Sequence, residues 1–159
     1  MAAPIAFLKA SPDGQPEHYG AAMERTRLTI VDVANVVGSR PDGWWRDPVA
    51  GTRRLIELAD RLPRQEESLV LVLEGEARRA AAEVDCSCGV RVLHAPGSGD
   101  DRIVTLISET VCAGDARQIT VVTADRLLRL RAEGLGAGAE SARAFRERLE
   151  ASAQPQAGD

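Results

Sequence analysis

A chain of 159 residues is long enough for one domain with a buried core of its own. Its 44% hydrophobic and 28% charged residues are ordinary for a globular protein, while an aromatic content of 3% leaves the core to aliphatic side chains and excludes a broad aromatic platform for bases. The net charge is −4 and Lys9 is the single lysine, which weighs against a stable binding role resting on bulk electrostatics more than against a catalytic one; any nucleic acid must be held locally, by arginine and metal.

Residues 1–24 carry Pro4, Pro12, Gly14, Pro16 and Gly20 without a sustained period, which predicts a mobile arm. Met23 stands just before the first predicted strand, so residues 1–22 are expected to be an extension of the gene model. The start lacks the basic and apolar regions of a signal peptide, and Cys86, Cys88 and Cys112 are an odd number. Reduced thiols and a cytoplasmic location are therefore expected. No apolar run approaches the ~20 residues of a membrane-spanning helix.

Leu28–Val33 is a continuous run dominated by β-branched residues, the pattern of a strand buried on both faces. Asp47-Pro48 then supplies a helix cap and a first-turn proline, Leu55, Ile56, Ala59 and Leu62 mark one helical face, and Pro63 ends it. Leu69–Leu73 repeats the buried-strand pattern and Val90–Leu93 repeats it more weakly. Ile103, Leu106, Ile107 and Val111 mark the next helical face, with Gly114 beyond its end. Ile119–Thr123 is another strand, followed by a helix through Leu127, Leu128 and Leu130 that closes at Gly134. A weak strand signal crosses Leu135–Ala139, and Ser141 can cap a last helix through Leu149. Alternating strands and helices predict parallel pairing through right-handed crossovers, hence a three-layer α/β/α sandwich on a mainly parallel sheet. The domain is expected over residues 25–151, with 152–159 as a frayed tail.

In such a sheet, sites form beyond the carboxyl ends of the strands. Asp32, Glu74, the pair Asp100-Asp101 and Asp125 all fall there. Asp100 can equally be a helix cap, and Asp125 a first-turn residue favoured by the helix dipole. Asp32 has no such inexpensive explanation, because a carboxylate inside a buried strand costs several kcal/mol unless charge or hydrogen bonds compensate it. Carboxylates without paired His or Cys suit Mg²⁺ or Mn²⁺, and the chemistry such a site serves is hydrolysis of a phosphodiester or pyrophosphate.

Three pieces, VDVANVVG, GSGDDRIV and ITVVTADRLLR, stand in this order at successive strand ends. Together they resemble the NYN domains of the PIN-like nuclease superfamily, especially the YacP-like branch, over roughly residues 28–150. The resemblance implies a metal-dependent ribonuclease acting on RNA, and relatives of this kind often form homodimers. By residue it implies Asp32 as the first-strand aspartate and Asn35 as the asparagine that orders the site. Asp101 matches the acid opening the central helix, with Asp100 beside it, and Asp125 the aspartate after the late strand. Asp32, Asp100, Asp101 and Asp125 are then the metal ligands, and Glu74 and Thr123 their supports. The usual glycine-tyrosine before the asparagine is replaced by Val33-Ala34.

Substrate contacts are expected from Arg102 and Arg126, each next to an acid, with an ion pair the favoured alternative for Arg126. The segment 41–48 holds both tryptophans, so Trp44, Trp45 and Arg46 are candidates to hold bases or phosphate, one tryptophan being buried and one available. Cys86-Ser-Cys88 with His94 lacks a recognised zinc spacing, and no Ser-His-Asp order, P-loop or dinucleotide motif is present. Two other functions suit the composition: a nucleoside triphosphate pyrophosphohydrolase, although no Nudix or helical EExxE pattern occurs, and a non-catalytic RNA-binding relative.

Overall fold

A computed structural model describes residues 26–63, 66–85, 90–115 and 117–154. The expected arm at 1–24, a start at Met23, the thiols of Cys86 and Cys88 and most of the expected tail lie outside the described residues. Six strands form one sheet: β1 (Arg27–Asp32), β2 (Glu67–Leu73), β3 (Val84–Asp85), β4 (Val90–His94), β5 (Gln118–Val122) and β6 (Gly138–Glu140). Their order is β3-β4-β2-β1-β5-β6, with every pairing parallel except β3 with β4. Helices α1 (Val33–Val37), α2 (Pro48–Ala59), α3 (Gly99–Cys112), α4 (Arg126–Gly134) and α5 (Ala142–Ala153) cover the two faces. The three-layer α/β/α architecture is the one expected from the alternation of patterns.

The central strands β1 and β2 are largely apolar on both sides because each side has its own core. Val31, Leu69, Leu71 and Leu73 pack with Leu55, Phe145 and Leu149 under α1, α2 and α5. Their neighbours in sequence, Ile30, Val70 and Val72, face the opposite way and pack with Ile103, Ile107 and Leu128 under α3 and α4. The period of two along a strand makes this division automatic. Fully burying a Leu, Ile or Val contributes about 1.5–3 kcal/mol each, so these two layers dominate the fold's stability.

Three details depart from the expectations. Val33 does not end β1 but begins α1, a turn and a half of helix too short to announce itself by periodicity. The late strand is displaced to Gly138–Glu140 from the expected 135–139. Val111 is half exposed, because α3 runs past the sheet that its earlier residues cover. In α4 only Leu128 of the three leucines is buried, joined there by Ala132.

One buried acid lies at the opposite end of the sheet from the candidate site. Glu67, at the start of β2, accepts from the Thr29 hydroxyl at 2.6 Å and from Arg148 of α5 at 2.7 and 3.2 Å. Burial raises its pKa, but the hydrogen bonds of Arg148 and Thr29 and the charges of Arg148 and Arg27 outweigh it, leaving the carboxyl below its ordinary 4.5. The stability this supplies is complete above the unfolded value and is lost as pH falls through the lower, folded one. Glu67→Gln is expected to cost about 1–3 kcal/mol at neutral pH. It should also flatten the fall of thermal stability below pH 4.5, measured as melting temperature against pH; an unchanged acid slope would remove Glu67 from that role.

Candidate active site

β1 is the central meeting point of the sheet, flanked by β2 and β5, so its carboxyl end faces the ends of both neighbours. Asp32 is its last residue and is simultaneously the N-cap of α1, its Oδ1 accepting from the Asn35 backbone N–H at 3.3 Å. Its other oxygen, Oδ2, accepts from the Asn35 side-chain amide and, at 3.0 Å, from the Thr123 hydroxyl. Thr123 also accepts from the Asp125 backbone N–H at 3.0 Å, so it links the first acid to the last. Asp125 caps α4, its Oδ1 accepting from Leu128 N–H at 2.8 Å. The structural alternative for Asp125, a first-turn residue favoured by the helix dipole, thus gives way to a defined N-cap. Asp32 performs a capping duty the sequence did not suggest, because α1 itself was missed.

Glu74 follows β2, and its Oε2 accepts from Gly99 N–H at the start of α3. A Cβ on Gly99 would stand 2.8 Å from that oxygen, so a larger residue there would make the Glu74 carboxylate shift. Ser98 rather than Asp100 is the N-cap of α3, which rules out the capping explanation for Asp100. Instead Asp100 lies in the first helical turn among like charges.

The electrostatics make the grouping concrete. Burial, with Asp32 only 5% exposed, raises the Asp32 carboxyl; its bonds to Asn35 and Thr123 pull it back only partly, and the charge of Asp100 adds to the rise. Asp100 is raised by burial, then by the charges of Asp125 and Glu74, with Arg131 opposing and Asp101 adding. Asp32, Glu74, Asp100 and Asp125 are therefore one repelling acidic group. Asp101, one position on, turns away about 100°: its side chain is 73% exposed and pairs with Arg131 at 2.9 Å.

Among the described residues no group of three or more His, Cys, Asp or Glu side chains is placed to hold a metal ion. The acids nevertheless fit Mg²⁺ or Mn²⁺, because a hydrated ion of this kind is commonly held through one or two carboxylates and completed by water and substrate phosphate. Uncompensated negative charge around a 5%-exposed carboxylate is the structural feature that such an ion would relieve.

The remaining candidates divide. Arg102, left open by the sequence, pairs with Glu109 at 3.3 Å, whereas Arg126, for which an ion pair was the favoured alternative, is exposed and makes none among the described residues. Trp44 packs against the core with the Arg146 guanidinium 3.6 Å from its ring centroid. Arg146, itself 1% exposed, also pairs with Asp42, so α5 holds the 41–46 loop from below. Trp45 is 54% exposed with Arg46 beside its ring. His94 is a strand-end residue, its Nε2 bonded to the Ala81 carbonyl at 2.8 Å. Cys112 is exposed and unpaired.

No family model matches this sequence, and no curated protein matches it. Among solved structures the chain is similar to Rae1 (YacP) from Bacillus subtilis, with a TM-score of 0.60 and 21% identity over 79% of this chain and 74% of that one. A tryptophan-to-leucine mutant of the same protein matches equally, with a TM-score of 0.59 and 21% identity over 79% of this chain and 75% of that one. The likeness shows the fold: this chain has the α/β fold of Rae1 (YacP), in agreement with the resemblance of the three motifs. No helix among the described residues is long and apolar enough to cross a membrane.

Proposed function

We propose that this chain is a metal-dependent phosphodiesterase of the NYN/PIN-like type, a ribonuclease acting on RNA. The observation that supports the proposal is the placement of Asp32, Glu74, Asp100 and Asp125 at the carboxyl ends of neighbouring strands, with Asp32 buried and its carboxyl raised in part by the charge of Asp100. The fold likeness supports a nuclease at the level of architecture.

Asp32 and Asp100 would hold a hydrated Mg²⁺ or Mn²⁺, with Asp125 acting on it through water; when bound the ion supplies positive charge to the phosphate and acidifies a coordinated water. The chain's own contribution is orientation. Asn35 and Thr123 fix the Asp32 carboxylate, so it cannot swing to relieve its repulsion from Asp100. Glu74 anchors the start of α3 and with it the position of Asp100. Arg126, beside Asp125 and without an ion-pair partner among the described residues, is available to a phosphate. Hydrolysis then takes the form of water attack at phosphorus with departure of the ribose oxygen, in a site whose acids are held before the substrate arrives.

Two measurements test this together. Mn²⁺ should raise the melting temperature of the wild-type chain, and single-stranded RNA should be cut in its presence and not in EDTA. Cleavage of nucleoside triphosphates alone would replace the proposal by a pyrophosphohydrolase. Absence of both stabilisation and cleavage would leave a non-catalytic RNA-binding protein.

A further inference from the structure

A cavity of about 530 Å³ opens beside Glu74, a volume within the ~300–1,000 Å³ of small-ligand sites. Val37, Trp45, Pro48 and Ala77 give it apolar walls, and Glu74 and Glu76 give it acid. Among the described residues no Lys or Arg lines it, so it does not suit a phosphate. Thr52 also borders it, wholly buried, and its hydroxyl has no hydrogen-bond partner. Buried hydroxyls are almost always satisfied, so an unsatisfied one beside a cavity points to an occupant with polar atoms of its own. Trp45 stands on the same cavity with more than half its surface exposed, held on a loop that Arg146 secures through Asp42 and Trp44.

We infer that this cavity takes one unstacked nucleobase of the nucleic-acid substrate, guanine in preference to the others. An occupant between apolar walls and carboxylates must be flat, apolar on its faces and a donor at its edge. Ionised carboxylates only accept hydrogen bonds. Guanine presents two adjacent donors on one edge, its N1–H and 2-amino group. Adenine and cytosine each set an amino group beside a ring-nitrogen acceptor, which a carboxylate repels, and uracil flanks its single N–H with two carbonyls. Trp45 stacks on the face of the base, as single-stranded nucleic acids are commonly held, and Glu74 with Glu76 accepts from its edge. Thr52 serves the polar atom that reaches the back wall.

The inference rests on the nuclease assignment above, and its test separates the two. Calorimetric titration of the wild-type chain in EDTA with GMP, AMP, CMP and UMP should give binding in favour of GMP. Trp45→Ala should weaken GMP about tenfold, the size of one lost base–aromatic stack. Thr52→Val, close in shape and without the hydroxyl, should weaken it several-fold while leaving the melting temperature unchanged or higher. Sequencing of RNA ends produced with Mn²⁺ should then show guanine fixed at one position, a preference that Trp45→Ala flattens. Equal or absent binding of the four nucleotides, together with RNA cut without base preference, would overturn the cavity's role and leave the nuclease standing. Selective GMP binding without any RNA cleavage would uphold the cavity and overturn the nuclease.

Discussion

Asp32→Asn is expected to abolish cleavage of RNA, by on the order of 10²–10³-fold or more, while the protein remains folded and, without divalent ions, melts at a higher temperature. Both effects have one cause. The Asp32 carboxylate is buried, and its hydrogen bonds from Asn35 and Thr123 recover less than burial and the neighbouring Asp100 take away, so its carboxyl is raised in the folded state. A raised carboxyl opposes folding whenever it is ionised: the penalty is full above the folded value and vanishes below the ordinary 3.8. Asparagine keeps the shape and the acceptor that caps α1 but cannot ionise. The gain should therefore appear at neutral pH and shrink as the buffer is made acid. For a domain of this size each kcal/mol corresponds to about 2–4 °C of melting temperature. The same substitution should abolish the stabilisation by Mn²⁺ expected of the wild type. Cleavage that survives in Asp32→Asn would end the proposed mechanism, and a lower metal-free melting temperature would show that Asn35 and Thr123 need the full carboxylate.

The neighbouring pair offers a sharper comparison. Asp100→Asn is expected to reduce kcat by about 10²-fold and to weaken the Mn²⁺ response in thermal titration, because Asp100 is the residue that senses Asp32, Asp125 and Glu74. Asp101→Asn should change either measurement by less than about threefold. Its side chain points to solvent and holds Arg131 in a surface ion pair, an interaction usually worth about 0–1 kcal/mol. The two residues are adjacent, equally charged and equally close in sequence to the motif. Only the helical turn between them separates their roles. The opposite ranking would mean that Asp101 swings inward when substrate or metal is bound, and would restore it as the ligand that the motif resemblance implies.

Much of this architecture was legible in the residues. The runs 28–33, 69–73 and 119–123 could be read as central strands because both sheet faces are covered, which makes most positions apolar or β-branched. The starts of α2 and α5 could be located from Asp47 and Ser141, residues whose side chains do accept from backbone N–H groups at each helix start. What escaped was short or relational. Helix α1 has five residues, fewer than two turns, and so carries no period. Strand β3 has two residues and lies antiparallel at the sheet edge, where a bridge leaves no pattern. The orientation of Asp100 against Asp101 depends on where α3 begins, and Ser98 starts it without a side-chain capping bond. The buried Arg146 also escaped, since an arginine on an amphipathic helix ordinarily reads as surface. Its burial follows from Trp44 and Asp42, about a hundred residues earlier. Thr123 was found as a neighbour of the acids, but its bridging of Asp32 and Asp125 needed the strand register.

Asp32 and Asp125 each spend one oxygen on starting a helix. A helix start accepts Asp, Asn, Ser or Thr with nearly equal stability, and an aspartate codon becomes an asparagine codon through a single G-to-A change. Natural selection acting on folding alone therefore has little grip on these two positions. A lineage that ceased to need hydrolysis would drift to asparagine there without passing through an unstable ancestor. It would retain the sheet, the helices and the cavity beside Trp45, and with them a ready-made scaffold for binding without cutting. In a set of related chains, the letters at these two positions would then distinguish living enzymes from their silent descendants more reliably than any overall similarity.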